Sequence, residues 1–255
     1  MSTLEERLRL LREQGRTALV PYFVGGLTQD WVRDVETAVH AGADAVEIGV
    51  PFSDPMIDGA VIQEGARRAL ERGTTLDSVC ADLATISVDV PLVVMTYYNI
   101  VHHYGLERAA GVLGAAGIRG AIIPDLTIEE AGAWRAACDR ADIATVFLVA
   151  PSTPPERVEL VTAACAGFVY AAARMAVTGR SEGIGDAREV VERVRAATDL
   201  PAYVGIGVTT PDQARSVAEV GDGVIVGSAL VSVLLGGAGS VGVEDLVGAF
   251  RSAID

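Results

Sequence analysis

Glu47 and Asp58 are the two residues whose type and spacing first suggest chemistry. Glu47 sits in the apolar run Ala43-Asp-Ala-Val-Glu-Ile-Gly-Val50, and Asp58 follows eleven residues later at the end of Pro51-Phe-Ser-Asp-Pro-Met-Ile-Asp-Gly59. Read as a strand, the run alternates. Ala45, Glu47 and Gly49 face one side, and Val46, Ile48 and Val50 face the other. The branched set suits packing under helices, which turns the small set and Glu47 inward. A carboxylate there is costly unless it is partnered or used. Two carboxylates at one mouth can be separated by their surroundings into a proton donor and acceptor and a hydrogen-bonding anion. The plainer alternatives are a Glu47 satisfied by an arginine or a backbone N–H, an Asp58 that caps the following helix, and an Asp54 that shapes the turn.

A second constellation is made of glycines. Val204-Gly-Ile-Gly207 ends one apolar run, and Val226-Gly-Ser228 ends the next and leads into a helix, while Gly179 closes Val177-Thr-Gly179. Backbone N–H groups at such loops, with a helix N-terminus, can hold a phosphate without a cationic side chain. The glycines could equally serve tight turns alone. Tyr22, Tyr97 and Tyr170 each lie near the end of an apolar run and offer a ring and a hydroxyl, or simply core packing. His102 and His103 are adjacent, cannot share a metal as i,i+4 ligands would, and read as a surface loop; no metal site is expected.

Eight apolar runs are needed to position these residues, and eight are present: 18–24, 43–50, 91–97, 120–124, 144–150, 167–173, 201–207 and 223–227. Helix-period segments follow near 29–41, 60–72, 105–116, 128–140, 155–164, 186–197, 211–219 and 243–253, with an additional helix at 75–86. Eight strand–helix units give an α/β chain of (β/α)8 count, a single TIM-barrel domain over 1–255, with active residues expected at the C-terminal ends of the strands. A doubly wound sheet is the alternative, but no glycine-rich dinucleotide turn follows the first strand. Before it, Thr3-Leu-Glu-Glu6 forms a capping box, and Leu4, Leu8 and Leu11 share one face of an extra N-terminal helix that could cover one end of the fold.

Composition narrows the chemistry. The chain has 255 residues and a formal charge of −14, and all 20 basic residues are arginine. With no lysine there is no Schiff-base or P-loop lysine chemistry, and no cofactor is called for. The acidic balance argues against nucleic acid. Three dispersed cysteines suggest neither a disulfide framework nor a zinc site and suit a reducing cytoplasm. The segment 223–243 carries no charge, but its six glycines and three serines fit a buried strand and a short helix rather than a membrane span.

Taken in order, Gly42–Gly59 with Val61-Ile-Gln63, Met95-Thr-Tyr-Tyr-Asn99, Tyr104-Gly105, Ile123-Pro-Asp-Leu126, Val177-Thr-Gly179, Gly205-Ile-Gly207 and Gly227-Ser228 resemble the tryptophan synthase alpha subunit over essentially the whole chain. The resemblance implies a carbon–carbon lyase that cleaves indole-3-glycerol phosphate to indole and glyceraldehyde 3-phosphate, working with a beta subunit in an alpha2beta2 assembly. It implies Glu47 for the C3 and glycerol-hydroxyl protons and Asp58 for the indole N–H. It places Tyr22 and Tyr97 around the indole, Tyr170 beside the acid/base site and Thr178 as the residue that orders Asp58. It places Gly179, Gly207, Gly227 and Ser228 at the phosphate. The chain departs from the family pattern at Gly25-Gly-Leu27, where Gly-Asp-Pro is usual, and at Ile57, Ala60, Ala176 and Ile206. Two other readings stay open: a stand-alone indole-releasing lyase, and a weakly catalytic subunit that mainly activates a partner.

Overall fold

The computed structural model describes residues 3–172, 182–205 and 207–255. Thr3 accepts the Glu6 N–H at 3.2 Å and Glu6 accepts the Thr3 N–H at 2.8 Å, the reciprocal cap expected from the sequence. It starts α1 (Leu4–Glu13), whose Leu4, Leu8 and Leu11 are buried. Burying each contributes about 1.5–3 kcal/mol.

Strands and helices then alternate: β1 (Ala18–Val24), α2 (Trp31–His40), β2 (Val46–Gly49), α3 (Ala60–Glu71), α4 (Leu76–Leu83), β3 (Leu92–Met95), α5 (Tyr98–Tyr104), α6 (Leu106–Ala115) and β4 (Ile118–Ile122). The second half runs α7 (Gly132–Arg140), β5 (Ala144–Val146), β6 (Leu148–Val149), α8 (Pro155–Ala164), β7 (Val169–Ala172), α9 (Glu182–Ala197), β8 (Ala202–Gly205), α10 (Pro211–Ala218), β9 (Gly223–Val226), α11 (Ser228–Leu235) and α12 (Gly239–Ile254). All pairings are parallel, in the order β5-β4-β3-β2-β1-β9-β8-β7-β6. The two ends of that order, β5 and β6, are separated only by Phe147, so they are two halves of one barrel stave and the sheet is a (β/α)8 barrel. At this seam both backbone groups of Phe147 find partners. The Phe147 N–H donates to Cys165 Sγ at 3.3 Å, and its carbonyl accepts the Tyr170 N–H at 3.1 Å.

The expected alternation in β2 holds. Val46, Ile48 and Val50 belong to the apolar layer between sheet and helices, and Ala45 belongs to a second cluster inside the barrel. That inner cluster joins Ala18, Val20, Val93, Phe168 and Tyr203 to Leu4, Leu8 and Leu11, so α1 plugs the N-terminal end of the barrel.

Two expectations are corrected. His102 and His103 lie on α5, not in a loop, although both are exposed. Their helix is seven residues long, too short for its periodicity to stand out, and it ends at Gly105 with φ +91°. The fifth strand, expected as continuous over 144–150, is broken at Phe147. The uncharged 223–243 segment forms β9, α11 and the start of α12, and among the described residues no helix is long and apolar enough to cross a membrane.

Candidate active site

Glu47 projects from β2 into the upper half of the lumen. Its neighbours in register are Tyr22 on β1 and Val93 on β3. It is 1% exposed, and its Oε2 has no hydrogen-bond partner among the described residues. Among the described residues no arginine or backbone N–H is bonded to that oxygen. Burial, reinforced by the nearby Asp58 charge, pushes its carboxyl up to about 8. At neutral pH this group holds a proton and can release it, which is the behaviour of an acid/base group.

Asp58 comes from the loop between β2 and α3. The N-cap of α3 is Gly59, without a side-chain cap, so Asp58 is not spent on capping that helix. Gln63 Nε2 donates to the Asp58 carbonyl at 2.8 Å and fixes its backbone, while Asp54 performs the local turn task by accepting the Ser53 hydroxyl at 2.6 Å. Asp58 is half-buried at the mouth. Burial raises its carboxyl above the ordinary range, and a hydrogen bond from Tyr97 opposes that rise.

Tyr97 is the brace for this loop rather than a wall of the cavity. Its hydroxyl accepts the Ile57 N–H at 3.4 Å, and its ring stacks on Phe52 with centroids 5.0 Å apart. Burial pushes the phenol up to about 12.

Glu47 and Asp58 meet in one cavity of about 280 Å³ together with Tyr22, Tyr170, Gly207, Gly227 and Ser228. The tyrosines fit because glycines receive them. A Cβ on Gly49 would lie 1.9 Å from the Tyr22 oxygen, and one on Gly205 would lie 2.1 Å from the Tyr170 oxygen. Gly207 has φ +86°, a left-handed conformation that favours glycine and turns the chain at the mouth. Gly227 caps α11, so the N-terminus of that helix opens on the cavity with its free N–H groups. Thr178 and Gly179 lie outside the described residues, as do Ala176 and Ile206.

The remaining walls are apolar: Ile57, Ile62, Met95, Leu148 and Ile225. The last four carry no reactive group and so leave no chemical motif in the sequence. Alternation gave a signal for Met95, two residues beyond the inward-facing Val93. Leu148 had none, since its inward turn follows from the break at Phe147. The site therefore combines a protonated buried acid, a second carboxylate, an apolar wall and a helix N-terminus. That set suits a substrate with an apolar ring at one end and an anionic group at the other. Among the described residues no three of His, Cys, Asp and Glu are grouped to hold a metal ion.

Known proteins resemble this chain in sequence and share its fold. Residues 8–240 match the family model described as tryptophan synthase alpha chain. The chain is similar to the tryptophan synthase alpha chain of Streptomyces avermitilis, 42% identical over 237 residues that cover 91% of this chain and 86% of the relative. It is also similar to that of Halorhodospira halophila, 43% identical over 266 residues covering 100% and 97%. Among solved structures, a chain of Mycobacterium tuberculosis tryptophan synthase superposes with TM-score 0.91 at 40% identity, covering 99% of this chain and 98% of that one. The tryptophan synthase subunit alpha of Legionella pneumophila superposes with TM-score 0.91 at 29% identity, covering 100% and 99%.

Proposed function

Because this chain belongs to the tryptophan synthase alpha chain family, we propose that it cleaves indole-3-glycerol phosphate to indole and glyceraldehyde 3-phosphate in the cytoplasm, as the alpha subunit of an assembly with a beta chain. Residues 1–255 act in this reading as one barrel unit. The observation that carries it is the convergence, in one cavity of about 280 Å³, of Glu47, Asp58 and the α11 N-terminus across an apolar slot.

The reaction is a retro-aldol cleavage that needs an electron sink, and a lysine-free chain cannot supply an iminium from its own side chains. The indole itself serves. Glu47, protonated at neutral pH, delivers its proton to C3 of the ring, and positive charge appears on the ring nitrogen. Asp58 accepts the indole N–H and stabilises that charge. The Glu47 carboxylate then takes the proton of the side-chain hydroxyl next to the ring. The O–H pair becomes the carbonyl, the carbon–carbon pair returns to the ring, and Glu47 ends protonated, ready for the next turnover.

The indole lies between Ile57, Ile62, Met95, Leu148 and Ile225, where its apolar faces leave water. The phosphate takes backbone N–H groups at Gly207, Gly227 and Ser228; the family resemblance adds Gly179 to the phosphate grip and gives Thr178 the ordering of Asp58. Tyr170 stands beside Glu47, whose charge is among those that keep its phenol neutral. The intact carboxylate pair favours this reading over a merely activating subunit.

An indole-release assay tests it, run with and without a beta chain. Glu47→Gln should lower turnover by roughly 10²–10⁴-fold, the loss expected on removing a general acid/base. Undiminished release by that variant would remove Glu47 from the mechanism. Strong stimulation by the beta chain excludes the stand-alone lyase.

A further inference from the structure

Tyr22 carries an oxygen that packing alone does not need. Its ring starts beside Gly227, where a Cβ would lie 3.7 Å from the Tyr22 Cβ, and ends against Gly49, where a Cβ would lie 1.9 Å from the hydroxyl. Gly49 is two residues beyond Glu47 on β2, so it shares Glu47's face of the strand and lies about 7 Å nearer the mouth. The phenol oxygen is thus held in the layer above Glu47, on the side where Asp58 enters, and all three residues line the same cavity. Burial and the charges of Asp58 and Glu47 hold the phenol well above its ordinary range, so it stays a neutral O–H donor throughout the working pH range. Among the described residues no hydrogen bond engages it. A phenylalanine would fill the same space without offering a hydroxyl to the cavity that Tyr22 lines, where a ligand can supply its partner.

The proposed cleavage supplies one. As Glu47 takes the side-chain hydroxyl proton, negative charge builds on that oxygen before the carbon–carbon bond has parted and the carbonyl has formed. The oxygen must lie next to Glu47, in the cavity that Tyr22 also lines, one layer below the phenol oxygen. The Tyr170 hydroxyl approaches Glu47 from the opposite wall: it lies across Gly205 on β8, three strands from β2. We propose that Tyr22 is a catalytic residue whose hydroxyl donates a hydrogen bond to the reacting side-chain oxygen of the substrate and stabilises the charge that develops there during cleavage. The proton still goes to Glu47 and the electron pair to the ring; Tyr22 transfers nothing.

This inference rests on the reading of the site given above, so its test is run beside Glu47→Gln. Tyr22→Phe should lower kcat about 10- to 100-fold with KM within about threefold, the pattern of a contact made mainly in the transition state. Its affinity for an indole-3-alkyl phosphate lacking side-chain hydroxyls should equal the parent's, since that ligand offers the phenol nothing to hold. A kcat within twofold of the parent would overturn the proposal, as would a loss confined to KM or a loss of affinity for the hydroxyl-free ligand. If Tyr22→Phe is unimpaired while Glu47→Gln is inactive, only the role of Tyr22 falls. If Glu47→Gln also retains cleavage, the reading of the whole site falls with it.

Discussion

The buried Glu47 should make the chain less stable as the pH rises, and the size of the effect follows from its environment. Its carboxyl is raised from an ordinary 4.5 to about 8, with burial as the first cause and the Asp58 charge as the second. Between those values the unfolded chain has released the proton and the folded chain still holds it. The folded state therefore binds more protons, and stability falls with pH. The stabilising contribution is fully present below pH 4.5, shrinks by ~1.4 kcal/mol per pH unit, and is gone above about 8. At pH 7 the loss has reached about 3 kcal/mol. Glu47→Gln keeps the shape and removes the titration. Urea unfolding of parent and variant at pH 5, 7 and 8.5 isolates the effect, because other carboxylates cancel in the difference. The inactive variant should gain on the parent steadily with pH, by about 3 kcal/mol at most between pH 5 and 7, and level off only above about pH 8. In melting temperature that is roughly 6–12 °C for a chain of this size. A stability difference that does not change with pH would refute the assignment of Glu47 as a neutral buried acid.

Activity should show the same group from the other side. The kcat/KM profile should fall on the alkaline limb near pH 8, as Glu47 loses the proton it must give to C3, and on the acid limb as Asp58 is protonated at a pH above that of a free aspartate; a flat profile between pH 6 and 9.5 would contradict the role of Glu47, and an acid limb no higher than a free aspartate's would contradict that of Asp58. Tyr97→Phe removes the hydroxyl that accepts the Ile57 N–H and holds Asp58 down, so a pH titration of kcat/KM should show the acid limb moving upward and a loss of about fivefold at pH 7. Asp44 accepts the Leu19 N–H, Arg16 Nε and the buried Arg251 at 2.8–2.9 Å; Asp44→Ala should cost about 3–5 kcal/mol in urea unfolding with KM unchanged, the clamp lying at the opposite end of the barrel from the cavity. At the seam, Cys165→Ala leaves the Phe147 N–H without its sulfur partner and should cost about 1–2 kcal/mol, while Cys165→Ser should recover part of that in the same assay.

The eight staves and most of the helices were legible because their periodicity is long, and because α1 begins at a capping box. Glu47 was legible because one charged residue stands on the inward face of an apolar strand. Alternation alone then fixes its direction. The seven-residue α5 and the break at Phe147 were not. Both are set by tertiary contacts: α5 starts where the Tyr98 N–H donates to Asp125 at 2.9 Å, 27 residues away, and the break forms where Cys165 and Tyr170 satisfy the backbone of Phe147. The bracing role of Tyr97 was hidden for a related reason. Its partners, Phe52 and Ile57, are 40 or more residues distant in sequence.

Three tyrosines show how the barrel divides into a structural floor and a reactive mouth. Tyr22 lies across Gly49, Tyr170 across Gly205 and Tyr203 across Gly223, each on the neighbouring strand. The first two glycines come two residues beyond the tyrosine's register partner, so those rings lean toward the C-terminal mouth; Gly223 is itself the partner of Tyr203, so that ring stays low, stacked on Phe168 at 4.7 Å. The low ring and the leucines of α1 fill the lower lumen with apolar matter. Water therefore cannot reach Glu47 from below, and its desolvation, the main cause of its retained proton, is built by residues that never touch the substrate. On this argument the plug helix sets the acidity of the active site: a polar substitution at Leu4 or Leu8 that admits water beneath Glu47 should draw the alkaline limb of kcat/KM down from about pH 8 toward neutrality. An alkaline limb that stays in place while the floor is demonstrably loosened would place the cause of that acidity in the mouth alone.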